Sequence, residues 1–373
     1  MKIRWAELLA LILLSTSCND DASDKNSNSS QTQTNTGDDS SNVYCYEKCD
    51  ENALTQCVSG NVATCEKNAS GCARWVVQTL CSAEQTCDAE TLKCVPRPEG
   101  KRTTLRLMAG NITSGTNQTY DLGHGTRIFQ ALKPDIAMIQ EFNLKSKTRE
   151  EWVTSTFGED FRFVFSENNI PNGIISKYPI LDSGYWASNI ENSRNWDWAV
   201  IDIPGSRDLL AISVHLHTSK NPEEYPVLIE KIKAKQAEGN YHVVIAGDFN
   251  TPNRDDVQKN FAGVFNVRGP WPVDQNGREG TDANRNDRDI DNQRPLDWVL
   301  MSYELDALEI PITVGEHTYA DGHILDSRVY AGLCSVHANT DELADIPPVD
   351  AADSSYLQMQ HMAVVRDVAI LSE

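Results

Sequence analysis

The chain reads as an α/β protein. Short apolar runs of strand length alternate with helix-length stretches, and the runs end in polar, chemistry-bearing residues. Leu105 to Asn111 alternates Leu105, Leu107 and Ala109 and ends in Asn111. Asp135 to Glu141 holds Ile136-Ala137-Met138-Ile139 and ends in Gln140-Glu141. Phe161 to Phe165, Gly173 to Ser176, Trp198 to Ile203 and Leu209 to Leu216 read as further strands, the last carrying His215 and followed by His217. Leu296 to Leu300 contains Asp297, and Gln360 to Val365 contains His361. Gly125 to Leu132 and Tyr225 to Glu238 read as helices.

The most informative segment is Val243-Val244-Ile245-Ala246-Gly247-Asp248-Phe249-Asn250. Four apolar residues predict a buried strand, and the glycine can turn. Residues two apart on an extended chain share a face, so Asp248 and Asn250 are expected to face one pocket. Open α/β sheets place sites at the C-terminal ends of their strands. A carboxylate there can take a proton from water, and an amide can orient that water or a phosphate oxygen. Each residue has a bland reading. Asn111 could end a strand in a turn, Glu141 could be solvated, and either histidine could be structural. Asp297 could pair an arginine such as Arg294. The ordered set is harder to explain blandly than any single member.

The series Asn111, Gln140-Glu141, Asn172 to Ile180, His215, Gly-Asp-Phe-Asn, Leu-Asp-Trp and His361 resembles the endonuclease/exonuclease/phosphatase superfamily from about Thr103 to Ile370. The resemblance implies a four-layer sandwich of two packed mixed β-sheets flanked by helices, and metal-dependent cleavage of phosphate esters. It implies Mg²⁺ or Mn²⁺ on Glu141 with Asn111 beside it, and Asp248 as the base that activates water. Asn250 would orient that water or the phosphate. Asp297 would hold the ring of His361, and His361 and His215 would stabilise phosphoryl charge. Asn172, His217, Gln360 and Arg285 are candidate substrate or supporting residues. Most members carry an aspartate before the last histidine; here Gln360 stands there, which puts a second metal site in doubt.

Further upstream the composition changes. Residues 1–18 read as a signal peptide: Lys2 and Arg4 precede the apolar run Leu8 to Leu14, too short to span a bilayer. Ser15-Thr16-Ser17-Cys18 resembles a bacterial lipobox, with Ser15 where leucine is typical, so Cys18 is a candidate lipidation site. Residues 19–42 lack large apolar side chains and predict a flexible polar tether. Residues 43–95 hold Cys45, Cys49, Cys57, Cys65, Cys72, Cys81, Cys87 and Cys94. After an export signal, an even count in a short module predicts four disulfides of undeducible pairing. Zinc is the rival, but the spacings lack paired Cys-x2-Cys knuckles. Residues 96–102 form a linker, and 103–373 the catalytic-type domain. The whole chain is expected at the outer membrane or cell surface, or else periplasmic or secreted.

The formal net charge is −21. It argues against tight nonspecific binding of polyphosphate without excluding nucleic acid as a substrate. The leading expectation is an exported phosphodiesterase, nucleic acid favoured, touching membrane only through its lipid and acting as a monomer without a protein partner. A sphingomyelinase-like enzyme or small-molecule phosphatase is the alternative, and Trp186, Trp196 and Trp198 could then touch membrane. A non-catalytic binding lipoprotein on the same fold is the third reading. Asp282, Asn284 and Asn286 have calcium-loop spacing but lack its glycine and glutamate, so a substrate-facing or plain solvated loop is expected there. Cys334 is expected to be a buried free thiol.

Overall fold

Alternate residues of the central strands pack into two different cores, and this sorts the chain into layers. The structure is a computed structural model describing residues 55–58, 61–67, 73–79, 81, 85–88, 90–96, 99–111, 122–282, 294–330, 346–356 and 359–372. Cys18, Cys45, Cys49, Cys72, Arg285 and Cys334 lie outside these residues, as do the signal segment, the tether and most of the 281–294 loop.

In the cysteine-rich region, β1 (Thr55–Val58), β2 (Asn61–Lys67) and β3 (Ala73–Thr79) form an antiparallel sheet. β4 (Gln85–Asp88) and β5 (Lys93–Pro96) form a hairpin. Disulfides join Cys57 to Cys87 and Cys81 to Cys94, and Cys65 is also disulfide-bonded. Thiols already paired in this way, rather than held as thiolates for zinc, belong to an oxidising compartment.

Two larger sheets follow. The first contains β6 (Arg102–Gly110), β7 (Ile136–Ile139), β8 (Arg162–Phe165) and β9 (Gly173–Ser176). The second contains β10 (Ile180–Ala187), β11 (Asn195–Ile201), β12 (Leu209–His215), β13 (His242–Asp248), β14 (Phe265–Asn266) and β15 (Asp297–Ser302). Late in the chain come β16 (Glu309–Ile310), the hairpin β17 (Ile312–Val314) and β18 (His317–Tyr319), then β19 (His323–Leu325) and β20 (Ala363–Leu371). The first sheet runs β16-β20-β6-β7-β9-β8, with β19 also on β20; the second runs β10-β11-β12-β13-β15-β14.

The sheets pack face to face. Leu105, Leu107 and Met138 from the first meet Ala211, Val244, Ala246 and Val299 from the second in one buried cluster. The alternate residues Leu210, Ile212, Val243 and Ile245 point the other way. There they pack under α3 (Asn221–Gln236) and α4 (Arg254–Phe261), through Tyr225, Leu228, Ile232 and Phe261. On the far side, α1 (His124–Leu132) and α2 (Arg149–Phe157) bring Phe129, Leu132 and Trp152 onto the first sheet. The result is the four-layer sandwich. Burial on both faces explains why β13 reads as a continuous apolar run rather than an alternating one.

Of the three tryptophans, only Trp186 and Trp198 reach the surface, and both are half-buried. Trp196 is fully buried, and Trp186 and Trp198 stack on each other, with Lys235 Nζ 4.1 Å from the Trp198 ring.

Candidate active site

Strand register, not loop placement, assembles the acid–base half of the site. β12 and β13 are parallel and pair His215 with Asp248; β13 and β15 are antiparallel and pair Asp248 with Asp297. Three chemistry-bearing residues therefore lie side by side at one end of the second sheet. Gly247 makes the close approach possible. Its φ is 137°, and a Cβ there would meet the Val214 carbonyl oxygen at 2.1 Å and Gln140 Nε2 at 2.6 Å.

Asp248 is the hub. Its Oδ2 accepts from Asn111 Nδ2 at 3.0 Å and Asn250 Nδ2 at 3.1 Å, and its Oδ1 accepts from the Asn250 backbone N–H at 2.7 Å. His215 Nε2 and His361 Nε2 lie 3.3 and 3.5 Å from the same Oδ2. Burial raises the Asp248 carboxyl, against the pull of His361. Behind His361, its Nδ1 meets Asp297 Oδ2 at 2.8 Å. Burial alone would depress this imidazole, but the carboxylates of Asp297 and Asp248 overcome it and raise its pKa. His215 goes the other way. Burial, with Arg194 and His361 close by, pushes it well below the ordinary histidine value. It can offer a neutral N–H toward a phosphoryl oxygen.

Glu141 and Asn111 form the other half, at the ends of the parallel pair β7 and β6. Glu141 Oε1 is 3.9 Å from His215 Nδ1. Burial raises the Glu141 carboxyl. Its Oε2 and the Oδ1 of Asn111 are buried oxygens without a hydrogen-bond donor. Two orphaned hard oxygens beside a buried carboxyl hub are a donor set that fits a small divalent cation. Asp248, Asp297 and His361 also bring ligand atoms within 4.8 Å of one another. The protonated ring between two carboxylates has no free lone pair, so Glu141 and Asn111 make the better pair of ligands.

Other expected residues fall out as follows. Asn250 does not share a face with Asp248 by strand alternation. It lies past the strand at φ 51°, and a left-handed turn brings its amide back to Asp248 and to the Leu216 carbonyl at 2.9 Å. Asn172 is buried, with Nδ2 on the Asn195 carbonyl at 2.5 Å, and ties β9 to β11. His217 Nδ1 accepts from the backbone N–H groups of Ser219 and Lys220, so it braces the turn into α3. Gln360 is half-buried directly before His361. Arg294 pairs with Asp282 at 3.1 Å, not with Asp297.

Three residues escaped the sequence reading. Arg194 sits just before β11, donates Nη1 to the Leu216 carbonyl at 2.7 Å, and acts electrostatically on both Glu141 and His215. Ser213 Oγ accepts from Gln140 Nε2 at 2.9 Å and donates to the Ile139 carbonyl at 3.0 Å, linking the two sheets beneath the site. Thr281 Oγ1 accepts from the backbone of Leu296 and Asp297, while its carbonyl accepts from Met362 N–H at 2.8 Å. It therefore clamps Asp297 to the strand of His361. Thr281 sits in a loop without periodic signal, Ser213 is a lone polar residue inside the apolar strand β12, and Arg194 precedes β11; each acts through partners distant in sequence.

The sequence model of the Endonuclease/Exonuclease/phosphatase family matches residues 126–315. That is more than half of the 373 residues, and the chain belongs to this family. No curated protein matches the sequence. Among solved structures it is similar to a 3'-5' exonuclease from Neisseria meningitidis, at 14% identity, 71% and 99% coverage of the two chains and TM-score 0.47. It is similar to a family protein from Bacteroides thetaiotaomicron at 12% identity, 72% and 99% coverage and TM-score 0.46. A family protein from Beutenbergia cavernae gives 14% identity, 72% coverage of each chain and TM-score 0.45. The family comprises divalent-metal-dependent phosphoesterases together with some non-catalytic members. Among the described residues, no helix is long and apolar enough to cross a membrane.

Proposed function

We propose that the protein is an exported, metal-dependent phosphoesterase, a phosphodiesterase with nucleic acid as the favoured substrate. The observation that carries this reading is the buried Asp248 carboxyl, held between two asparagines and two histidines and flanked by the orphaned oxygens of Glu141 and Asn111.

Glu141 and Asn111 would hold Mg²⁺ or Mn²⁺, which supplies positive charge against a phosphoryl oxygen. Asp248 takes a proton from water, and the water oxygen attacks phosphorus opposite the leaving oxygen. Asn250 orients that water. His361, held protonated by Asp297, stabilises the charge on the phosphoryl group and stands ready to protonate the departing alkoxide. His215 contributes a neutral donor, and Arg194 adds fixed positive charge at the rim. Export is supported by the paired cysteines and by the apolar run before Cys18. Lipidation of Cys18 would make the tether a stalk.

The deciding assay compares plasmid DNA, bis-p-nitrophenyl phosphate and p-nitrophenyl phosphate side by side, with Mg²⁺, Mn²⁺ and a chelator. Turnover of the diesters, abolished by chelation, is expected. Turnover of the monoester alone would shift the reading to a phosphatase. No turnover of any ester with either metal would sink it.

A further inference from the structure

Glu141 stands just beyond β7 with φ 52°, a conformation in which a residue with a side chain is strained. Something must hold it there, and the neighbouring turn shows what does. Phe142 N–H donates to the Pro171 carbonyl at 2.8 Å, and Asn143 N–H donates to the Glu141 carbonyl at 2.6 Å. The Phe142 carbonyl in turn accepts from Nε of Arg149 at 2.9 Å. Arg149 is the first residue of α2, and the start of that helix is fixed by a reciprocal capping box between Thr148 and Glu151. Its guanidinium lies 3.8 Å from the centre of the Phe165 ring and 5.5 Å from that of Phe142. The Arg149 side chain is thus fixed by cation–ring contacts on one side and a carbonyl bond on the other.

We propose that Arg149 is a positioning residue: it locks the turn after β7 so that the Glu141 carboxylate stays in its cation-binding pose. This rests on the reading that Glu141 and Asn111 hold the metal. Arg149 touches neither cation nor substrate; it acts through one backbone carbonyl adjacent to Glu141. The competing role is a simple staple between α2 and β8, which would affect melting and leave metal affinity alone.

The two roles separate in a direct titration of the full chain with Mn²⁺, read by electron paramagnetic resonance, with melting temperature measured in parallel. Wild type, Glu141→Gln, Arg149→Met and Arg149→Lys are compared. Residues that orient a metal ligand typically cost about 10-fold or more in affinity when removed. Arg149→Met should therefore bind Mn²⁺ about 10-fold more weakly. Arg149→Lys keeps the charge but loses the guanidinium and its Nε donor, so it should also bind more weakly, and it carries the test if the methionine variant does not fold. Glu141→Gln should be the weakest of all. If both Arg149 variants bind Mn²⁺ within twofold of wild type while Glu141→Gln loses it, Arg149 is only a staple. If wild type binds no Mn²⁺, or Glu141→Gln binds as tightly as wild type, the metal assignment itself falls and takes this inference with it.

Discussion

The two halves of the candidate site are finished to different degrees. On the second sheet, strand register aligns His215, Asp248 and Asp297, and His361 lies between the two aspartates. That half balances most of its own charge with a protonated ring. On the first sheet, Asn111 and Glu141 leave two buried oxygens without donors, and the Glu141 backbone is strained. The acid–base half balances its charge within the protein, although Asp297 Oδ1 and His215 Nδ1 also lack hydrogen-bond partners there, whereas the other half presents two buried oxygens that no donor among the described residues meets. The contrast predicts that damage to one half cannot be repaired from solution, while damage to the other can.

The largest expected effect tests the self-sufficient half. Asp248→Asn keeps the shape and removes the base. Loss of such a group costs several kcal/mol of barrier, on the order of 10³-fold or more in rate. Raising Mg²⁺ should restore nothing. A kcat within tenfold of wild type on diester substrates would show that Asp248 is not the base.

Glu141→Gln tests the dependent half. It keeps an oxygen but removes a charge, so the rate at low Mg²⁺ should fall about 100-fold, in line with a weakened metal ligand. Titration to high Mg²⁺ should recover part of it. A loss that no metal concentration touches would erase the distinction between the halves.

Thr281 ties Asp297 to the His361 strand, so Thr281→Val probes how rigid the first half must be. The substitution leaves the buried N–H groups of Leu296 and Asp297 without an acceptor. An unsatisfied buried donor costs about 1–3 kcal/mol, so about 3 kcal/mol of stability should be lost across the pair. Denaturant unfolding measures it. Stability within about 0.5 kcal/mol of wild type, roughly one weak hydrogen bond, would mean that the clamp is dispensable.

Asp197 on β11 provides a control away from the hub. Burial raises its pKa to about 7, although Ser166 N–H donates to it at 2.7 Å. A carboxyl with a raised folded pKa stabilises the fold when protonated. Its contribution is full below the unfolded pKa and is lost as pH rises through about 7. Asp197→Asn should match wild type only below about pH 4 and gain about 4 kcal/mol on it above pH 7, from a rise of about 3 pKa units at about 1.4 kcal/mol each. A difference between the two proteins that does not change with pH would contradict this.

Much of this arrangement was legible in the sequence, because apolar strands announce themselves and point to the polar residues at their ends. Asn111, Glu141, His215, Asp248, Asp297 and His361 were all found this way. Asn250 was found for an incomplete reason, since a left-handed turn rather than strand alternation aims its amide. The exposed edge strand β10 and the short helices α2 and α4 were missed. β10 keeps Leu181 and Tyr185 in solvent, so no buried stripe marks it. α2 has its capping box Thr148-x-x-Glu151 but only a weak apolar face, and the box was the signal to use. Arg194, Ser213 and Thr281 act through contacts distant in sequence, which no local pattern encodes.

The smallest expected effect concerns Gln360, the neutral residue directly before His361, where most family members place an aspartate. Adding a carboxylate beside the protonated ring should strengthen attraction for a divalent ion. At an effective dielectric suited to a partly exposed site, one charge several ångströms away is worth about 1 kcal/mol, a few-fold in affinity. Gln360→Asp should therefore stay active and show a few-fold tighter apparent Mg²⁺ dependence, still fitted by a single binding site. The comparison of halves makes the result readable. If the Glu141 half alone recruits the cation, the added charge tunes an existing site and kcat barely moves. If the native protein is inert on every ester and Gln360→Asp switches activity on, the dependent half is not sufficient by itself. The glutamine would then be a lesion, and a binding lipoprotein on an enzyme fold would be the better reading.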